Sequence, residues 1–300
     1  MQSVMMESVD ILGASLRSST PVMLVVLGET LTQRVGVINL GVEGEMLVGA
    51  LAGFAITHAT GSPWMGLLGA MVMGSLLSVV HGILSLGFRA NQIASGIAVF
   101  ILGSGLSAFY GIPYVGQKIQ GFASFPDIPL IGQLSPTVLM ALVLVPLVGI
   151  WLFHTRTGLA WRAVGESAES ARAMGVNPLR VQWQGILVGG LFAGLAGGSL
   201  SVDYTSNWIE GMTAGRGLVA VGLVIVARWN PYWALPAALL YGGSEAMSLR
   251  LQTYGVEISP YLLSTLPYVV PLLVLMVTSY RLREHGGGLP EGLKAVFTDM

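Results

Sequence analysis

TRTGLAWRAVGESAESARAMGVNPLR, residues 155–180, carries Arg156, Arg162, Glu166, Glu169, Arg172 and Arg180. These are six of the 29 charged residues in the chain, 14 basic and 15 acidic. Apolar stretches long enough for a bilayer crossing, about 20 residues per helix, lie on both sides. Charges are expensive near hydrocarbon, so an internal loop that concentrates them is a water-facing contact surface. Ala160–Ala173 is rich in helix formers and Asn177-Pro178 ends the run, which predicts a short helix lying along the membrane. The bland alternative is a solvated loop without a partner.

Composition agrees with a membrane protein. The chain has 300 residues, 53% apolar and 10% charged, with a mean hydropathy of +0.73. Soluble domains are about 25% charged, and no sphere of this size could hide so much apolar surface from water. A net charge of −1 argues against nucleic acid as a partner. With no cysteine, disulfides, thiolate metal sites and cysteine nucleophiles are excluded. The four histidines are scattered, so no metal centre is expected. The start, MQSVMMESVD, lacks the basic region of a signal peptide, and the internal spans are expected to direct insertion.

The expected fold is all-α, a polytopic helical bundle of about nine spans, with eight to ten as the range. They lie near Ile11–Leu31, Val42–Thr57, Trp64–Phe88, Ile93–Tyr110, Thr137–Phe153, Val181–Leu200, Leu218–Ala227, Tyr232–Leu249 and Tyr261–Tyr280. With the arginine-rich loop in the cytoplasm, Arg34, Arg89, Arg156, Arg162, Arg172, Arg180, Arg228, Arg281, Arg283 and Lys294 fall inside. Arg17, Lys118, Arg216 and Arg250 fall at or near the outside. The positive-inside rule then puts the N-terminus outside and the C-terminus, with the tail 281–300, in the cytoplasm. Gly49 and Gly53, Gly185 and Gly189, and the row Gly190, Gly194 and Gly198 predict close helix contacts.

Two further segments carry polar groups between apolar runs. In GETLTQRVGVINLGVEGEMLVG, residues 28–49, Gly36, Gly41 and Gly44 permit non-helical backbone. Such backbone is tolerated at membrane depth only against protein or a water-filled cavity. Asn39 and Glu43 are candidate pathway residues; a plain cytoplasmic turn is the alternative. In FRANQIASG, residues 88–96, Asn91 and Gln92 either cap a helix or bond a polar solute. No G-x-x-x-x-G-K-[ST] loop occurs, so any ATP that drives transport is hydrolysed by another chain.

The run RVGVINLGVEGEMLVGA, residues 34–50, resembles the signature of permease subunits of ATP-binding cassette (ABC) importers. It is closest to the nucleoside branch of the simple-sugar and branched-chain amino acid permeases. TRTGLAWRAVGESAESARAMGVNPLRV, residues 155–181, resembles the cytoplasmic coupling loop of that superfamily. The form NLGVEG, residues 39–44, favours the nucleoside branch over the sugar permeases. The resemblance implies one permease domain over residues 1–300 in the bacterial inner (cytoplasmic) membrane. It also implies an ABC ATPase subunit carrying ATP and magnesium, a second permease subunit, often non-identical in that family, and an extracytoplasmic binding protein or lipoprotein. No cofactor or catalytic residue is implied in this chain. Matched onto this sequence, the coupling residues are Arg162, Gly165, Glu166, Ser167, Ala171, Gly175 and Pro178. A simple sugar or another small polar solute remains an alternative. A secondary transporter working without ATP would need intramembrane coupling acids, and Glu245 is the only acid well inside a later span. No nucleophile–base pair or metal cluster supports a membrane enzyme.

Overall fold

In the computed structural model residues 2–123, 134–254, 258–285 and 290–293 are described, with side chains omitted for 2–10 and 281–285. Residues 286–289 and 294–300 of the expected tail lie outside this set. The described residues form twelve α-helices and no strand. These are α1 (Gln2–Arg34), α2 (Val42–Thr60), α3 (Pro63–Gly82), α4 (Gln92–Gly111), α5 (Pro136–His154) and α6 (Arg156–Glu166). There follow α7 (Ala168–Ala173), α8 (Pro178–Gly198), α9 (Arg216–Val226), α10 (Ala234–Thr253), α11 (Pro260–Leu263) and α12 (Leu266–His285). Short π-helical turns extend α3 through Gly87 and α8 through Tyr204. Proline opens α3, α5 and α8 at the first turn, where its missing N–H costs nothing and its fixed φ suits the helix.

Helices stand at all nine expected positions, but not all of them are crossings. By length and composition six can span a bilayer: Ile11–Arg34, Pro63–Gly87, Gln92–Tyr114, Pro136–His154, Pro178–Tyr204 and Pro260–Tyr280. The count reaches seven if α9 and α10, bent by 119° at the short break between them, are taken as one span. The expected nine is corrected for two reasons. Glu43 and Glu45 in the first turn of α2 dilute its apolar character. The 11 residues of α9 reach only about 16 Å of a core about 30 Å thick.

Helices α1 and α8 form the centre, each with 78% of its spanning window buried, whereas α12 has 17% buried. The glycine rows make the centre possible. A Cβ on Gly49 would stand 2.6 Å from Gly194 Cα, and one on Gly74 would stand 2.5 Å from the Gly190 carbonyl oxygen. Backbones of α2, α3 and α8 therefore touch directly, as the small-residue pattern predicts. Residues 205–215, non-helical throughout, fold back into the bundle from the end marked by the Lys118–Asn207 bridge. Trp208 and Met212 bury against Ala50, Leu51 and Phe54 of α2 on the way.

Gly194→Leu should overpack this contact, at a cost of roughly 1–3 kcal/mol or more. Thermal unfolding of the purified chain in detergent should show a lowered midpoint, while Gly87→Leu, where nothing lies within 4 Å of an added Cβ, should leave it near wild type.

Candidate functional site

Three polar regions were built by the fold. The first is the charged loop, which is two helices. Thr155 accepts from Gly158 N (3.0 Å) to start α6, and Ser167 accepts from Ser170 N (3.1 Å) to start α7. Gly165 is buried against the Arg34 carbonyl at the end of α1, in space that a side chain would occupy. Arg34 Nε in turn donates to the Trp229 carbonyl at 2.8 Å. The loop is thus seated on α1 and on the turn after α9. Of the expected coupling residues, Ala171 and Pro178 are buried, and Arg162 folds back over the Phe153 ring at 5.3 Å. Ser167 is a helix cap, and Gly175 turns the chain at φ +84°. Glu166 is exposed and accepts from Glu291 N at 3.4 Å. The outward surface includes Leu159, Glu166, Glu169, Ser170, Arg172 and Met174. Leu159 and Met174, 58% and 68% exposed, were not singled out from sequence; two large apolar side chains within a charged loop were the available signal.

The second region is the break between α1 and α2. Asn39 and Glu43 are both buried. Asn39 Oδ1 accepts from Gly41 N at 2.9 Å, and its Nδ2 donates to Glu45 Oε1 at 2.8 Å. His81 Nε2 donates to the Ile38 carbonyl (3.1 Å), and Ile38 N donates to Gln92 Oε1 (2.8 Å). Gln92 is therefore brought to the break, while the exposed Asn91 caps α4, accepting from Ile93 N and Ala94 N. Glu43 faces the start of α9. Its Oε1 accepts from Thr213 Oγ1 (2.5 Å) and Gly215 N (2.7 Å), and its Oε2 accepts from Gly217 N (2.7 Å). A carboxylate at a helix N-terminus meets both the free amides and the positive end of the dipole. It anchors the half-helix α9 inside the bundle.

The third region is a cavity of about 470 Å³ lined by Arg17, Ser18, Phe122, Thr137, Asp203 and Tyr204, among others. Neither Asn39, Glu43, Asn91 nor Gln92 lines it. Asp203 accepts from Thr137 Oγ1. Beneath the cavity Ser18 Oγ donates to Glu245, which pairs with Arg216 at 2.5 Å. The Arg216 guanidinium also lies over the Tyr241 ring at 5.6 Å. Seventeen residues of α1 separate Arg17 from Arg34 at the coupling loop, about 26 Å at 1.5 Å per residue. The cavity and the loop are at opposite ends of the bundle.

Comparison with known proteins decides the family. The profile described as the branched-chain amino acid transport system / permease component matches residues 11–278. The chain belongs to that permease family. It is 36% identical to TsgC13 of Haloferax volcanii, a candidate glucose ABC transporter permease, over 94% of this chain and 95% of that protein. It is 32% identical to NupQ of Bacillus subtilis, a guanosine ABC transporter permease, over 88% and 90%. It is 29% identical to NupC of Lactococcus lactis, a nucleoside ABC transporter permease, over 86% and 88%. No solved structure matched. The chain is thus a multi-pass membrane permease and a transport component.

In this permease, sequence reasoning counted Arg17 among the outer charges and missed Asp203 and Tyr204. The signal was an Asp-Tyr pair closing a glycine-rich apolar run. Replacing Glu43 with Ala strands three donors, at about 1–3 kcal/mol each, so Glu43→Ala should sharply lower the unfolding midpoint and abolish uptake. Asn91→Ala removes a cap worth about 1 kcal/mol and should leave uptake close to wild type.

Proposed function

We propose that the chain is one of two permease subunits of an ABC importer for nucleosides, docking a separate ATPase through α6 and α7. The observation that carries this reading is the seating of the charged loop. Its inner residues lock onto the end of α1 through Gly165 and Arg34, and its outer surface presents Glu166, Glu169, Arg172 and Met174. A partner pressing on that surface pushes directly on a central helix. The nucleoside assignment is supported by the names of NupQ and NupC and by the NLGVEG form at Asn39–Gly44. TsgC13 keeps a simple sugar as the second reading.

The same reading places the loop, Arg34, Arg89 and Arg228 in the cytoplasm, by the positive-inside rule, with the N-terminus outside and the tail inside. The whole chain then acts as one permease domain in the bacterial cytoplasmic membrane. ATP and magnesium belong to the ATPase, and an extracytoplasmic binding protein delivers the solute. A non-identical second permease is supported by NupP, a guanosine ABC transporter permease of the same Bacillus subtilis, which is 24% identical to this chain over 92% of this chain and 84% of that protein.

Because the chain has no cysteine, a single Met174→Cys is a clean crosslinking handle. In membranes holding the assembled transporter it should capture the ATPase subunit. Capture of an extracytoplasmic protein instead would refute the orientation. Glu166→Lys reverses an exposed charge on the docking surface. It should cut uptake about tenfold, the effect of roughly 1.4 kcal/mol, with insertion and ATPase turnover of the complex retained.

A further inference from the structure

We propose that the cavity between α1, α5, the end of α8 and α10 is a solute-recognition site within this one subunit, built for a neutral solute with both a flat ring and hydroxyl groups. The proposal rests on the permease reading and specifies what the permease recognises. Its size, about 470 Å³, lies within the roughly 300–1,000 Å³ of small-molecule sites. Its walls combine three chemistries. Arg17 is exposed and makes no ion pair or hydrogen bond among the described residues. It offers five N–H donors, which suit a carbonyl or ring-nitrogen acceptor. Asp203 has one oxygen, Oδ2, engaged by Thr137, leaving Oδ1 as an acceptor for hydroxyl or N–H donors of a solute. Tyr204 and Phe122 bring ring faces, Phe122 being held edge-on against Trp64 at 4.8 Å.

The charge balance selects the class of solute. One guanidinium and one carboxylate face the same space, so the site carries no net charge of its own. A phosphorylated solute would gain from Arg17 but be repelled by Asp203. A neutral solute with donors at one edge and acceptors at the other satisfies both. The backbone also points to a site. Asp203 and Tyr204 sit on the π-helical turn Ser199–Tyr204, a widened turn that re-aims side chains and recurs at functional sites. Ser18 ties the cavity to Glu245 and Arg216, so the floor is fixed by a desolvated ion pair rather than by mobile side chains.

The test uses the full chain and its lack of cysteine. Ala14 lines the cavity, and Ala14→Cys places one thiol there. In cells, a membrane-impermeant maleimide should label it. Guanosine should slow labelling, while guanosine monophosphate and glucose at the same concentration should not. In the purified chain in nanodiscs, Asp203→Asn and Tyr204→Leu should each weaken radiolabelled guanosine binding about tenfold or more, the scale of losing a contact to a charged group or a stacked ring. Unfolding midpoints close to wild type verify that the variants fold, and Tyr204→Phe should restore binding. If chain-dependent guanosine uptake is present but unchanged in Asp203→Asn and Tyr204→Leu, and labelling is indifferent to guanosine, the site is wrong and the permease reading survives. Protection by glucose or by the monophosphate equal to that by guanosine overturns the selectivity. If neither guanosine nor glucose uptake depends on the chain, the permease reading itself falls.

Discussion

Inside a bilayer no water completes the hydrogen bonds of a backbone that leaves the helical path. Among the described residues the backbone leaves the helical path inside packed protein, notably at residues 36–41 and 205–215, and several buried polar side chains are arranged around those two departures. Asn39, His81 and Gln92 bond the first. Glu43 closes the second by taking the amides of Gly215 and Gly217. The two breaks are therefore one construction, since Glu43 begins the helix that follows the first break and caps the helix that follows the second. Buried polar groups of this kind demand partners, because each one left unmatched costs about 1–3 kcal/mol. The same demand explains the Arg216–Glu245 pair, in which both side chains are largely buried, at 10% and 18% exposure. Removing either partner alone would strand a charge, a change that costs about 3–5 kcal/mol in buried pairs.

Much of this was legible before any coordinates. Apolar runs located every long helix, because lipid enforces length and composition together. The glycine rows pointed to real contacts, since only a missing side chain lets two backbones meet. The charged loop read correctly as helical, but it is two helices, and Asn177-Pro178 starts α8 rather than ending the loop helix, which stops at Ala173 before the Gly175 turn. The crossings were overcounted because run length alone does not separate a spanning helix from a half-helix. Residues 218–227 read like a short span, and only the path of residues 205–215 shows where that helix starts. Individual roles were least legible. Gln92 and Asn91 are neighbours of similar chemistry, yet one bonds Ile38 across the fold and the other caps its own helix. Asp203 and Arg17 are 186 positions apart in the chain, and no periodicity links them. Their shared cavity is a product of tertiary packing alone.

The distribution of charge divides the molecule into regions with different tasks. At one end Arg34, the loop helices and Trp229 form a connected set of contacts. At the other end Arg17 and Asp203 face an open cavity. Between them α9 runs from Arg216, which holds Glu245 under the cavity, to the turn at Ala227–Asn230, which meets Arg34. A single half-helix thereby touches the supports of both ends. Its first turn is fixed by charge, and the turn that follows the helix is fixed by the Trp229 carbonyl, so one stretch of helical backbone ties the two supports together.

The glycine contacts among α2, α3 and α8 have a mechanical corollary. Where side chains separate two helices, a sliding motion can be absorbed by rotamer changes. Here Gly49 meets Gly194 and Gly74 meets Gly190 with no side chain between them. The carbonyl oxygens of Met46 and Ala70 lie just as close to Gly197 and Gly194, so sliding along these faces would set side chains against backbone. These three helices are keyed to one another and behave as a stator. Outside that keyed set, the span ending in α12 is the least buried, at 17%, and is the one least held by such contacts.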